Sequence, residues 1–167
     1  MKIPPPSIPA QLKPEAEGLL CEGNRLYDRN DFGGAVEAYT QGLVFDPKSG
    51  VLYAHRAKAY LGWTRASSLT EMRPQKEICD LRLEYKLQAV KDAHRATDLE
   101  PKWATSWMRI AEALKALLAE EDSVNATPAV KDELTRIKIV NGIRAALENG
   151  ALFTKCTYSE LCYVLNE

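Results

Sequence analysis

Long hydrophobic runs are absent from this sequence of 167 residues, and no stretch approaches the roughly 18 apolar residues that a membrane-spanning helix needs. An excess of one charge is absent as well, because 22 basic and 23 acidic side chains leave a formal charge of −1. A balanced chain without a Lys/Arg run offers no electrostatic surface for nucleic acid. Residues 1–10 hold no apolar core, so we expect no secretory signal there.

Cysteine and histidine are scarce and lie apart. The four cysteines form no CxxC pair and have no neighbouring histidine; they are Cys21, Cys79, Cys156 and Cys162. This spacing argues against zinc and predicts free, mostly buried thiols in a reducing compartment, the cytoplasm or the nucleus. The sequence also lacks the GxSxG, GxGxxG, HExxH and P-loop motifs. We therefore predict no enzymatic activity, no metal and no cofactor.

A repeated helical pattern fills most of the chain. From Ala16, small and apolar residues fall at offsets 0, 3, 4, 7, 10 and 11, which is one face of an amphipathic helix. The same offsets recur from Phe32 and from Gly50, and from Ala104 as far as Leu114, after which Lys115 breaks the stripe. Repeated helical hairpins bury their apolar faces by stacking on one another. The pattern therefore predicts a stack of hairpins.

Residues 16–49 resemble one tetratricopeptide repeat (TPR), a helix–turn–helix of roughly 34 residues that ends near a proline. The residues that carry the resemblance are Leu19, Gly23, Asn24, Tyr27, Phe32, Ala35, Tyr39, Leu43 and Pro47. It implies an all-α TPR solenoid of three hairpins plus a C-terminal helix, over residues 15–167. The implied divisions are repeat 1 (16–49), repeat 2 (50–103), a degenerate repeat 3 (104–150) and a terminal helix (151–167). Residues 1–14 are a proline-rich arm, either a flexible leader or an SH3 or WW ligand.

The second and third hairpins are longer than the TPR pattern. Pro47 and Pro101 are 54 residues apart, so about 20 residues are inserted within repeat 2. We predict helices over 51–64 and 75–99 around a loop at 65–73, and a long helix over 128–148 that stops at Asn149-Gly150. The inward residues of 75–99 are predicted to be Ile78, Leu81, Tyr85, Ala89, Ala93 and Ala96. Two registers of the last helix against Ala89 and Ala93 stay open, Ile143 with Leu147 or Ile139 with Ile143.

The first helix of each hairpin lines the concave side of such a solenoid. On that side the sequence places donors for a carboxylate, namely Asn24, His55, Lys58, Arg109 and Lys115. We expect a bound carboxylate to raise the pKa of His55 above its usual value of about 6.5. Binding would then be stronger at pH 6 than at pH 8.

This face resembles the carboxylate clamp of co-chaperone adaptors, in which five groove side chains hold the acidic C-terminal tail of a heat-shock chaperone. Asn24 and Arg109 match two clamp positions. Leu20, His55 and Thr105 stand where the clamp has Lys, Asn and Lys. The resemblance implies an adaptor that binds a chaperone tail or, with two lysines lost, another peptide. The candidate site residues are Leu20, Asn24, His55, Lys58, Thr105 and Arg109.

Two other functions stay open at this point. The elongated hairpins are expected to pack on each other as a helical protrusion, which can serve as a self-assembly or scaffold surface and give a homo-oligomer. The chain can instead be the N-terminal interaction domain of a larger protein or enzyme. Trp107 is predicted to lie in the core, and Trp63 to pack where the second hairpin begins to outgrow the first.

Overall fold

The computed structural model describes residues 9–66, 74–121 and 133–152. Those residues form six α-helices and no strand: α1 (Pro14–Asp28), α2 (Phe32–Phe45), α3 (Gly50–Trp63), α4 (Gln75–Leu99), α5 (Ala104–Glu121) and α6 (Glu133–Leu152). They pack as the hairpins α1–α2, α3–α4 and α5–α6, which stack through α2–α3 and α4–α5. Helix α3 also contacts both α1 and α5. The first helices of the three hairpins therefore share one side of the stack, as the TPR resemblance implies.

Short polar turns set the helix boundaries. Asp31 caps α2, because its Oδ1 accepts a hydrogen bond from the backbone N–H of Gly34 at 3.0 Å. Ser49 caps α3 by accepting from the backbone N–H of Leu52 at 3.2 Å. Asn30 has a φ of 61°, a left-handed conformation that asparagine adopts more readily than most residues. This conformation reverses the chain between α1 and α2.

Small side chains dominate the two buried clusters. The first cluster joins α1, α2 and α3 through Ala16, Ala35, Tyr39, Leu43, Leu52 and Ala59. The second joins α3 to α6 through Ala57, Leu61, Ala89, Ala93, Ile110, Ala111, Ala113, Ala146 and Leu147. Alanines let helix axes approach closely, so many short contacts hold the stack together. Trp107 packs against the second cluster, where the sequence placed it.

Helix α4 has the predicted bounds, but its inward face differs from the prediction. Ile78, Ala89, Ala93 and Ala96 are buried as expected. Leu81 and Tyr85 are only partly buried. Tyr85 stacks instead on Trp63 with ring centroids 4.5 Å apart, which confirms that Trp63 is packed. The two charged residues Lys86 and Asp92 are buried although the sequence places them outside the apolar stripe.

A buried ion pair explains the position of Asp92. Arg56 Nε and Nη2 donate to Asp92 Oδ2 and Oδ1 at 2.7 and 2.8 Å, so the pair joins α3 to α4 in a bidentate geometry. Arg56 Nη1 also donates to Thr40 Oγ1 on α2 at 3.0 Å. One guanidinium therefore ties three helices together on the side away from the groove.

The beginning of the described region departs from the predicted arm. Helix α1 starts at Pro14, and three of the described residues before it contact the domain. The backbone N–H of Ala10 donates to Glu100 Oε1 at 3.0 Å, and Lys13 Nζ donates to the carbonyl of Phe45 at 2.9 Å. Leu12 packs against the first cluster. The part of the arm from Ala10 to Lys13 therefore contacts the domain, and its flexibility stays a prediction.

The last described helix also departs from its prediction. Helix α6 continues through Asn149-Gly150 to Leu152, and Asn149 Nδ2 donates back to the carbonyl of Ala145 at 2.9 Å. Of the two registers, the structure has the one with Ile143 and Leu147 in the cluster of Ala89 and Ala93.

Several predictions fall outside the described residues. They are the N-terminal part of the arm, the insert at 67–73, the start of the last long helix at 128, the packing of the elongated ends through 122–132 and the terminal helix beyond residue 152. Cys156 and Cys162 lie there too. The two cysteines that are described are both free; Cys21 is exposed, which departs from the expectation of mostly buried thiols, and Cys79 is half-buried.

Candidate peptide-binding groove

The three first helices enclose an open cavity of about 430 Å³ on their shared side. Its lining combines four cations with one carboxylate, a tyrosine and small or apolar residues: Tyr27 from α1; Lys58, Leu61 and Gly62 from α3; Arg65 just after α3; and Arg109, Glu112, Lys115, Ala116 and Ala119 from α5. We call this space the cationic cavity. Lys58, Arg109 and Lys115, three of the predicted donors, lie together in it.

Asn24 is positioned by the first hairpin. Its Oδ1 accepts a hydrogen bond from the Tyr39 hydroxyl at 2.8 Å. Tyr39 is 1% exposed, and burial raises the pKa of its hydroxyl, so the hydroxyl stays a donor. Gly23 makes room for this ring, because a Cβ there would lie 2.3 Å from Tyr39 Cε1. The bond uses the amide oxygen of Asn24 and leaves its two N–H donors for a ligand.

His55 is neutral in the free protein. Burial, together with the positive charges of Arg109 and Lys58, lowers its pKa to about 4. The side chain is therefore uncharged at pH 6 as well as at pH 8 in the unliganded groove, and a rise of its pKa on carboxylate binding, from this lowered value, stays a prediction. Burial is the larger cause, because it disfavours the charged imidazolium, and the two neighbouring cations disfavour it further. Its ring packs near that of Tyr39, with centroids 5.8 Å apart.

Lys58 is held in place by an aromatic ring. Its Nζ lies 4.3 Å from the ring centroid of Tyr27, which is a cation–π contact. Tyr27 is fixed in turn by an edge-to-face contact with Phe32, at 5.2 Å between centroids. The ammonium group of Lys58 is thereby presented to the cavity in a restricted position.

Arg109 already has a carboxylate partner. Its Nη1 donates to Glu112 Oε2, one turn further along α5. The candidate site residues from the sequence do not include Glu112, although its i,i+3 spacing from Arg109 is a signal for such a pair. A ligand carboxylate at Arg109 therefore competes with, or adds to, this internal ion pair.

The remaining predicted site residues do not line the cationic cavity. Leu20 is half-buried and packs against the first core cluster. Thr105 lies in the first turn of α5, two turns before Glu112. Arg65 does line the cavity but was missed, because its position falls in the predicted loop and carries no helical pattern. Of the five positions that resemble the clamp, only Arg109 lines the cationic cavity. The cavity extends from Arg109 along α5 to Lys115 and Ala119.

Two further properties concern the described residues as a whole. They contain no group of three or more His, Cys, Asp or Glu side chains that could hold a metal ion. None of their helices combines the length and the apolar character needed to cross a membrane.

Comparison with known proteins connects this fold to co-chaperones. The chain is 26% identical over 132 residues to a heat shock protein sti1 homolog of Schizosaccharomyces pombe, covering 78% of this chain and 19% of that protein. It is 29% identical over 127 residues to small glutamine-rich tetratricopeptide repeat-containing protein 2 of Saccharomyces cerevisiae, covering 76% and 31%. The chain thus spans between a fifth and a third of these curated relatives. No protein-family model matches it.

Solved structures give the same fold. The Sgt2 TPR domain from Aspergillus fumigatus superimposes with a TM-score of 0.62 at 19% identity, covering 93% of this chain and 79% of that domain. The first TPR of Spaghetti (RPAP3), bound to the HSP90 peptide SRMEEVD, gives 0.56 at 19% identity, covering 92% and 94%. With the stacked hairpins and the repeat pattern, these similarities show that the chain has the all-α fold of a tetratricopeptide-repeat solenoid and resembles TPR-containing co-chaperone adaptors.

Proposed function

We propose that this chain is a non-catalytic adaptor module that binds the acidic C-terminal tail of a partner protein in its concave groove, in a reducing, cytoplasmic compartment. The observation that carries the proposal is the clustering of Lys58, Arg109 and Lys115 on the side formed by the first helices. A chaperone tail is the first candidate ligand, because a TPR domain of the same fold holds the HSP90 peptide SRMEEVD.

Arg109 and Asn24 are the two groups that we expect to contact the terminal carboxylates. Hydrogen bonds to charged groups contribute roughly 1.5–3 kcal/mol each, whereas neutral donors contribute about 0.5–1.5 kcal/mol. Loss of Arg109 should therefore weaken binding by at least about tenfold, and loss of Asn24 by a smaller factor.

The test is titration of the peptide SRMEEVD into the wild type, Arg109→Ala and Asn24→Ala. Arg25→Ala is the matched control, since Arg25 also pairs with a glutamate at i,i+3 but lies on an exposed part of α1 outside the cationic cavity. We expect the order wild type, Asn24→Ala, Arg109→Ala in decreasing affinity, with Arg25→Ala equal to wild type. Absence of binding to the wild type at millimolar peptide would refute the proposal.

A further inference from the structure

We propose that the groove contains a second anion site, formed by Lys58, Arg65 and Lys115, that takes a negatively charged side chain of the bound peptide upstream of its C-terminus. This inference rests on the proposed peptide binding. It concerns positions that lie outside those resembling the clamp. Lys115 is ten residues beyond Thr105, which is about 15 Å along α5.

The charge balance of the cationic cavity points to a ligand. Its lining holds four cations and one carboxylate, a formal +3 (four minus one), in a chain whose total charge is −1. Glu112 is engaged by Arg109. The ion pairs Arg25–Glu22, Arg56–Asp92 and Arg109–Glu112 of the described residues do not involve Lys58, Arg65 or Lys115. Like charges gathered in one concave place raise the local potential and attract an anion.

The surroundings strengthen that potential. Leu61, Gly62, Ala116 and Ala119 are the small or apolar part of the lining, and charges act more strongly beside such groups than in open water. Positive charge also extends behind Arg65, since burial and the neighbouring Arg82 and Arg65 lower the pKa of Lys86 to about 8. Lys58 is held in place by its contact with Tyr27. The site is therefore partly preorganised before an anion arrives.

The ligand chemistry follows from the number of cations. Three positive side chains around a small cavity suit a group with more than one negative charge, which is either two adjacent carboxylates or one phosphorylated side chain. The cavity opens beside Arg109, so a single peptide can reach both sites. Lys115 lies six residues from Arg109, about 9 Å of helix, which an extended peptide spans with about three residues.

The experiment uses three peptides with the same acidic C-terminal residue. At the third and fourth positions before that residue they carry Glu-Glu, phosphoserine-Gln or Gln-Gln. Each is titrated into the wild type, Arg65→Gln, Lys115→Gln and the control Lys102→Gln, whose exposed side chain lies in the turn before α5 and outside the cavity. We expect the wild type and Lys102→Gln to bind a charged peptide at least about tenfold more tightly than Gln-Gln. We expect Arg65→Gln and Lys115→Gln to reduce that preference to below about threefold.

The outcomes separate the two proposals. A preference for Glu-Glu or for phosphoserine supports the site and identifies the source of the negative charge. Equal binding of all three peptides overturns the second site while the proposed function stands, and absence of binding by any peptide overturns both.

Melting of the free variants tests for a structural role. Neutralising one of several clustered cations should leave the melting temperature unchanged or raise it. A marked decrease in both Arg65→Gln and Lys115→Gln would mean that these side chains hold the fold together, and the inference would fail.

Discussion

The close contact between Gly23 and Tyr39 gives the sharpest test of the helix packing. An added Cβ at Gly23 would lie 2.3, 2.6 and 2.8 Å from three atoms of the Tyr39 ring, all far inside van der Waals contact. Tyr39 is 1% exposed and its hydroxyl is bonded to Asn24, so the ring cannot move aside without losing that bond. We therefore expect Gly23→Ala to destabilise the protein although alanine favours helix.

The magnitude follows from three contributions. Overpacking a buried contact costs about 1–3 kcal/mol, and the upper half applies here because the contact is with a fixed ring. Loss of the hydrogen bond between Tyr39 and Asn24 adds about 0.5–1.5 kcal/mol. The helix propensity of alanine returns about 1 kcal/mol. The net loss is about 2 kcal/mol, which lowers the melting temperature of a chain of this size by roughly 4–8 °C.

The assay is urea unfolding followed by circular dichroism, with Gly18→Ala as the matched control on the same helix. A Cβ at Gly18 meets nothing within 4 Å, so this variant should gain up to about 1 kcal/mol from helix propensity alone. In a Tyr39→Leu background, Gly23→Ala should cost less, since the obstructing ring is gone. If Gly23→Ala is as stable as Gly18→Ala, the described register of α1 against α2 is wrong.

Two further predictions concern titration and a buried charge. The pKa of His55 is about 4 in the native state and about 6.5 in the unfolded state. As the pH falls from 6.5 to 4, His55 is therefore protonated in the unfolded state but stays neutral in the native state. Protonation of His55 should thus lower the unfolding free energy by at most about 3 kcal/mol between pH 6.5 and pH 4, and should have no effect above pH 7. In urea unfolding, the His55→Asn variant should lack this decrease. Identical pH profiles of the wild type and the variant would contradict the prediction. Asp92→Ala should cost about 3–5 kcal/mol, because it leaves the guanidinium of Arg56 without its carboxylate partner in a largely buried place. Glu22→Ala breaks the exposed pair with Arg25 and should change stability by about 0.5 kcal/mol or less, so equal losses in the two variants would tell against a buried ion pair.

Much of the site could be placed from the sequence, because the repeat fixes which helix faces the groove. Asn24 and Arg109 were assigned to the concave side from their repeat positions alone, and so were Lys58 and Lys115. The structure brings three of these four into one cavity. Asn24, the fourth, does not line the cavity and instead accepts a hydrogen bond from the hydroxyl of Tyr39. Its position therefore depends on the buried ring of Tyr39.

The sequence by itself determined the order of the described helices and most of their boundaries. These depend on spacing, capping and the size of side chains a few residues apart, and all three can be read locally. Only the tertiary structure decided that Arg65 joins the cavity, that His55 is neutral and that Asp92 is buried against Arg56. Each of these depends on charge and burial contributed by distant parts of the chain; Arg56 and Asp92, for example, are 36 positions apart. Electrostatic interactions act through space and change with the solvent that packing removes, so a local pattern does not contain them.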